Sequence, residues 1–301
     1  MKKILCLCLA AFFVCSLAAC GKPNVTPAVS ETTDNERVFS DIQTGEQDTK
    51  SNKNSFNFDF DNQVIFESDV AKVTATGFSS DDYGLTLDVT VENLTDKDVI
   101  ISNVAGQSFV NGLVVSPTVF VELKGHKSAN ETVYIDTEQL RLSGIEKIND
   151  IRMNWEMRDT DYNTIAELKD IILKAKDYSD DFEQPFAVGD KVVYDKNDVY
   201  VTYLGKTSYK PWDGKSQDCL LFSVENRSDA AITFYCDDAY MNDVKCEFYT
   251  MNDVSAAKTK GYVLFYCSSD TGTQTLNGDI EIEFNIYGDA MSDKCDFAVT
   301  V

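Results

Sequence analysis

The feature that most limits how this chain can fold is a strand and turn that occur twice. The first copy is LTLDVTVENLTD at residues 85–96, and the second is LLFSVENRSD at residues 220–229. Apolar and polar residues alternate in both copies, which predicts strands with one buried face. The Glu-Asn-x-Thr/Ser-Asp sequence that ends each copy predicts a turn, because Asn and Asp bond to nearby backbone groups and tolerate positive φ. We therefore expect two copies of one β-rich domain.

The repeat continues to the end of each copy, where four apolar residues recur at every second position. Trp155 belongs to this row in the first copy and Phe284 in the second, so we expect both in the core. About seven or eight short strands, with turns between them and almost no helix, are typical of a two-sheet sandwich. The sequence thus predicts an all-β protein with two tandem β-sandwich domains at residues 59–178 and 186–301, joined by a linker at residues 179–185.

The N-terminus has the composition of an export signal. Lys2 and Lys3 precede an apolar run at residues 4–16, which is too short to span a bilayer. Residues 1–19 are therefore predicted to be a signal peptide. Residues 20–58 are rich in Thr, Ser, Asn and charged side chains and contain too little apolar surface to fold alone, which predicts a disordered tether.

The end of the signal, Leu17-Ala18-Ala19-Cys20, is similar to the lipobox of bacterial lipoproteins. The resemblance implies cleavage before Cys20 and a lipid thioether on its sulfur. The protein would then be lipid-anchored in the cell membrane, on its extracytoplasmic face. Two acyl chains anchor a protein stably in a membrane, whereas one chain gives only marginal binding, because each buried CH2 contributes about 0.8 kcal/mol. The alternative is an ordinary secreted protein in which this cysteine occurs by chance.

The lipobox, the tether and the Val-Glu-Asn-x-Thr/Ser-Asp sequence at residues 91–96 and 224–229 together resemble a family. They are similar to an uncharacterised immunoglobulin-like domain of Gram-positive bacterial lipoproteins and to the immunoprotective extracellular domains grouped with it. The resemblance implies an immunoglobulin-like fold and exposure at the cell surface. It implies no activity and no functional residues.

The formal net charge is −23, from 27 basic and 50 acidic residues, and the acidic excess is spread through both copies. No basic patch is available to neutralise phosphates, which argues against nucleic acid as a partner. A solvated acidic surface that keeps the protein soluble explains this charge most simply.

The sequence offers little for catalysis or metal binding. His126 is the single histidine, and it lies in a Lys-Gly-His-Lys sequence typical of an exposed turn. A serine or cysteine nucleophile needs a base beside it, and structural zinc needs several Cys or His ligands at close spacing. We therefore expect no enzymatic activity, no cofactor and no metal site.

Five cysteines follow Cys20, and all lie in the second copy: Cys219, Cys236, Cys246, Cys267 and Cys295. An odd number cannot be fully paired, and the first copy does without them. We expect reduced cysteines that pack as small hydrophobic residues. The alternative is one disulfide across a hairpin, between Cys236 and Cys246.

The best candidate for binding is the loop at residues 206–216, which is longer than its counterpart at residues 78–84 and carries Tyr209 and Trp212. Sandwich loops commonly hold binding sites, and aromatic side chains with polar neighbours suit protein or glycan contacts. The alternative is that Trp212 covers its own core. The function we expect is binding of an envelope or extracellular partner at the cell surface. The alternative is a structural or accessory envelope lipoprotein without a fixed ligand.

Overall fold

A computed structural model describes residues 56, 58–80, 84–210, 216–269, 272–273, 275–288 and 291–301. In these residues the protein is all-β, as predicted, and its one helix is six residues long. Asn52–Val301 forms one compact unit, so the division into domains stays a prediction. That helix is too short to cross a membrane, and the described residues contain no other that could.

The strands alternate with short turns along the whole described chain. In the first half they are β1 Gln63–Glu67, β2 Ala71–Ser80, β3 Gly84–Asn93, β4 Val99–Val110, β5 Leu113–Val115, β6 Phe120–Leu123, β7 Ser128–Asp136, β8 Asp150–Asp159 and β9 Thr164–Lys174, with helix α1 at Thr137–Leu142. In the second half they are β10 Lys191–Lys196, β11 Val199–Tyr209, β12 Gln217–Asn226, β13 Ile232–Met241, β14 Val244–Met251, β15 Val254–Ser255, β16 Thr259–Ser269, β17 Gly272–Thr273, β18 Asp279–Gly288 and β19 Met291–Thr300.

Two sheets enclose the core of the first half. One has the strand order β1-β2-β3-β7, and the other contains β4, β8 and β9, with β5 and β6 both paired to β4. The inward side chains of β3, which is the repeated strand, include Leu87 and Val89, each 1% exposed. Trp155 on β8 is fully buried, as predicted. The alternation in the sequence therefore marks the faces that the two sheets bury against each other.

The second half repeats these pairings. The order β10-β11-β12-β16 corresponds to β1-β2-β3-β7, and β13-β18-β19 corresponds to β4-β8-β9. An irregularity in register falls between Val64 and Phe66 in β1 and between Val192 and Tyr194 in β10. A bulge is a specific local conformation that sheet formation alone does not require. Its recurrence shows that the two sequence copies pair their strands in the same way.

The buried Asn of each repeated turn explains the shared turn sequence. Asn93 and Asn226 are each 1% exposed. Each donates from its side-chain amide to the carbonyl oxygen four residues later, at 2.7 Å for Asn93 and 2.9 Å for Asn226. Each also accepts from the hydroxyl two residues later, from Thr95 at 2.8 Å and from Ser228 at 2.6 Å. The amide replaces the backbone hydrogen bonds that the strand loses where it ends.

Aromatic rings fill the core of the second half. Phe222 on β12 lies 5.2 Å from Phe265 and 5.1 Å from Phe297 between ring centroids, with the rings edge to face. Burial of each such side chain contributes about 1.5–3 kcal/mol relative to exposure. The second half therefore has a core of its own, built on β12, which is the second copy of the strand that organises the first half.

Candidate binding site

Of the two aromatic residues predicted for a binding loop, only one lies in the part of the chain that the structure describes. Tyr209 is the last residue of β11, and it is 5% exposed. Its hydroxyl donates a hydrogen bond to a carboxylate oxygen of Asp136 in the first half, at 2.5 Å. Tyr209 therefore lies at the end of a strand rather than in the loop, and its ring is buried. Trp212 and Cys20, the residue predicted to carry a lipid, lie outside the described residues.

Tyr209 instead takes part in a junction between the two halves. Asp136 is the N-cap of α1, and its other carboxylate oxygen accepts from the backbone N–H of Glu138 at 2.8 Å. Arg141 pairs with Glu138 at 2.8 Å and donates to the backbone carbonyl of Ser208 at 2.7 Å. Burial raises the pKa of Asp136, and the hydrogen bond from Tyr209 opposes that rise. The junction therefore depends on the partly buried carboxylate of Asp136, which accepts from the Tyr209 hydroxyl and from the Glu138 backbone N–H.

A groove of about 560 Å³ opens between β13 and β14. The two strands pair up to Cys246, which lies opposite Ala239, and from Glu247 onward β14 pairs with β16 instead. β13 bulges at the same level, between Cys236 and Asp238. The strands separate because β14 changes sheets, and the groove lies in the gap between them.

Tyrosine rings line both sides of the groove. Tyr235 on β13 is 56% exposed and Tyr249 on β14 is 46% exposed, whereas Phe248, which also lines the groove, is buried. The ring of Tyr249 stacks on Tyr266 of β16, with centroids 5.8 Å apart. Half-exposed tyrosines offer a large apolar surface at low conformational cost, and the stacking restrains one of them further. The two rings therefore give the groove an exposed aromatic surface.

The rim of the groove is acidic. Asp237, Glu247 and Asp253 line it together with one ammonium group, that of Lys245. A hydrogen bond from Lys294, at 2.9 Å, lowers the pKa of Asp237, which is therefore ionised at neutral pH. With Lys294 counted, three carboxylates face two ammonium groups at the rim, which leaves the rim weakly acidic.

The groove also contains sulfur. Cys236 and Cys246 line it and are half-buried, and Cys267 lies beneath them in the core. All five cysteines of the second half are thiols, as expected, and Cys236 and Cys246 are not joined in a disulfide. The side chains of Cys219 and Cys295 instead lie against backbone carbonyl groups elsewhere in the fold.

His126 lies in an exposed turn with φ of 53°, and one of its ring nitrogens is 2.6 Å from a carboxylate oxygen of Asp96. Neither residue lines the groove. Within the described part of the chain, no group of three or more His, Cys, Asp or Glu side chains is placed to hold a metal ion.

Sequence reasoning did not identify the groove, although one signal for its tyrosines is present. Tyr235 follows the core residue Phe234, and Tyr249 follows the core residue Phe248. In a strand, neighbouring side chains point to opposite faces. An aromatic residue next to a core aromatic residue is therefore exposed, and such residues favour binding.

No protein-family model matches this chain, and no curated protein matches it. Among solved structures, it is similar to the crystal structure of the YadV chaperone, with 9% sequence identity and a TM-score of 0.21. The match covers 72% of this chain and 92% of the chaperone chain. Similarity at this level identifies neither a shared fold nor a shared function.

Proposed function

We propose that this protein is a lipid-anchored cell-surface binding protein without catalytic activity, and that the groove between β13 and β14 binds a basic segment of an envelope or extracellular protein. The observation that carries the proposal is the pair of half-exposed tyrosines, Tyr235 and Tyr249, which line the groove together with the buried ring of Phe248. Tyrosine is enriched at sites where a few residues supply most of the binding free energy.

The charge of the groove favours a basic partner. Asp237, Glu247 and Asp253 can pair with Lys or Arg side chains, and the face of a tyrosine ring attracts a cation by about 0.5–2 kcal/mol. The net charge of −23 favours encounter with a cationic partner over an anionic one. The sequence supports anchoring through Cys20, which would hold the groove near the membrane surface.

Binding can be tested with residues 21–301, which retain the whole compact unit, Asn52–Val301. The probes are fluorescent peptides of alternating Lys and Gly, matched peptides with Glu in place of Lys, and a panel of neutral oligosaccharides. We expect the basic peptide to bind, and Tyr235→Ala or Tyr249→Ala to weaken it at least about tenfold, since a central tyrosine commonly contributes 2 kcal/mol or more.

The control variant is Tyr162→Asn. Tyr162 is 66% exposed and does not line the groove, and Asn tolerates its φ of 64°. Equal binding by all variants would mean that the acidic surface attracts the peptide without a site, which would refute the proposal. Oligosaccharide binding that is lost with Tyr235→Ala would assign the groove to glycans instead. Absence of binding would favour the alternative, an accessory envelope lipoprotein without a fixed ligand.

The anchor needs a separate test, in the full chain. Cys20→Ala should release the protein from the membrane fraction, because the thioether to the lipid cannot form. Cys15→Ala, within the predicted signal peptide, is the matched control and should leave retention unchanged. Membrane retention of the Cys20→Ala protein would refute lipid anchoring without affecting the groove.

A further inference from the structure

The groove runs beside a strand edge that loses its partner. β14 pairs with β13 from Val244 to Cys246, and it pairs with β16 from Glu247 to Met251. β16 continues to Ser269, past the point where β14 leaves β13, so β13 and β16 lie on opposite edges of β14. In the described part of the chain, no strand pairs with the β13-facing edge of β14 beyond Cys246. This edge is therefore open along the groove.

The hairpin between β13 and β14 determines which residues face the open edge. Its loop, residues 242–243, has positive φ at both positions, as in a two-residue hairpin turn. The residue after such a loop is hydrogen-bonded to the partner strand, so Val244 directs its backbone groups to β13, and Cys246 does the same two residues later. By the same alternation, the backbone groups of Phe248 and Thr250 point to the open edge.

β13 borders the same gap from the other side. The gap is closed at one end by the pairing of Ala239 with Cys246. At the other end, the N–H of Phe234 donates to the carbonyl oxygen of Asp253 at 2.7 Å. Between these points β13 bulges at Asp237, which is left out of the register with β18. A bulge bends its strand, so β13 curves away from β14 and leaves the edge of β14 accessible.

We propose that the basic segment bound by the groove is an extended strand that pairs with the open edge of β14. It would extend the sheet β10-β11-β12-β16-β14 by one strand. Backbone hydrogen bonds to Phe248 and Thr250 would give affinity for any extended chain, and contacts of its side chains would give specificity. This inference rests on the proposed function, because the occupant is the same basic segment.

The two faces of β14 set different requirements for the added strand. The exposed side chains of Glu247 and Tyr249 share the outer face, where the Tyr249 hydroxyl donates to Glu247 at 3.1 Å. A Lys or Arg of the segment on this face would lie beside both the ring and the carboxylate. On the inner face the segment would meet the buried ring of Phe248, which favours small or apolar residues. Alternating basic and small residues satisfy both faces.

Charge favours this segment over a second copy of the chain. Open strand edges also allow identical molecules to associate edge to edge. Each copy has a net charge of −23, and three carboxylates face two ammonium groups at the rim of the groove. Like charges on paired strands are destabilising. The edge therefore disfavours a copy of itself and favours a basic strand.

The test places N-methyl groups in the alternating Lys-Gly peptide and measures its binding to residues 21–301. One peptide is methylated at the backbone nitrogen of every Lys, and a second at that of every Gly. In an added strand, the N–H groups of one residue type face β14 and those of the other face away. We expect one methylated peptide to bind at least about tenfold more weakly than the other, because it loses several hydrogen bonds. Each peptide is the control for the other, since both keep the same charge.

Amide hydrogen exchange, followed by NMR, gives a second measurement on the protein itself. The unmodified peptide should slow exchange at the amides of Phe248 and Thr250. It should leave exchange at Tyr249 unchanged, because that N–H faces β16. Slow exchange at Phe248 and Thr250 that depends on protein concentration without peptide would assign the edge to a second copy, and it would overturn the proposal.

The binding results separate this inference from the proposed function. If the unmodified peptide binds but the two methylated peptides bind equally, the segment is not an added strand, and only the present proposal is overturned. If the unmodified peptide does not bind, the proposed function and this inference are both overturned. A difference between the methylated peptides, with slowed exchange at Phe248 and Thr250, supports both.

Discussion

Removal of one hydroxyl group, by Tyr209→Phe, tests whether the junction between the halves stabilises the protein. The hydroxyl of Tyr209 donates to the partly buried carboxylate of Asp136 at 2.5 Å. A hydrogen bond to a charged group contributes about 1.5–3 kcal/mol, and the partly buried carboxylate keeps only its donor from the Glu138 backbone. We therefore expect the free energy of unfolding to fall by about 2 kcal/mol at neutral pH.

The pH dependence of this loss has a definite sign. Burial raises the pKa of Asp136, and the hydrogen bond from Tyr209 lowers it. The pKa of Asp136 should therefore rise further in the variant. A protonated carboxyl group carries no charge, so the loss of the Tyr209 donor costs less at low pH. The difference between wild type and Tyr209→Phe should be full above the pKa of Asp136 in the folded variant, and it should shrink as the pH falls through that pKa and then through the lower wild-type pKa.

The assay is urea unfolding of residues 21–301 at several pH values, followed by far-ultraviolet circular dichroism. Tyr287→Phe is the matched control, since Tyr287 is 44% exposed, and its free energy should change by less than about 0.5 kcal/mol. A double-mutant cycle with Asp136→Asn should show coupling between the two sites. A Tyr209→Phe protein as stable as wild type at neutral pH, or additive effects in the cycle, would refute the role assigned to this bond.

Two further substitutions test the fold. Asn226→Ala should lower the free energy of unfolding by about 2–4 kcal/mol, because it leaves the carbonyl oxygens of Ala230 and Ala256 without their side-chain donor. The assay is chemical denaturation, and the control is Asn277→Ala, at an exposed site. Equal losses in the two variants would contradict the role of Asn226. Gly106→Ala should lower the free energy of unfolding by about 1–3 kcal/mol more than Gly112→Ala in thermal unfolding. Both glycines have positive φ, but a Cβ at Gly106 would lie 2.6 Å from Val254, whereas a Cβ at Gly112 would meet no atom within 4 Å. Equal losses of stability in the two variants would show that the close approach to Val254 is unimportant.

Local patterns in the sequence account for several turns and helix ends of the structure. The Asn111-Gly112 pair predicts a hairpin, and the structure has a turn there with φ of 53° and 81° between β4 and β5. The described helix, α1, begins after Asp136, a residue type that commonly caps helix N-termini. These features depend on the conformational preferences of a few neighbouring residues, which the sequence contains in full.

The site was less predictable, because its parts come from strands that are far apart in the chain. Tyr209 lies beside a loop in the sequence, yet it is buried against Asp136 of the first half. The groove exists because β14 changes partner from β13 to β16, and nothing in its own sequence of eight residues specifies that change.

The sequence by itself determined the all-β class, the repeat and the strand faces, because alternation with a period of two and the chemistry of Asn and Gly in turns act over a few residues. It also supplied a first aromatic candidate, Tyr209, but not the candidate's environment. Tertiary structure decided which residues are exposed together, because exposure depends on which strands pair across the chain. The tyrosines, carboxylates and thiols of the groove are therefore neighbours only in the folded protein.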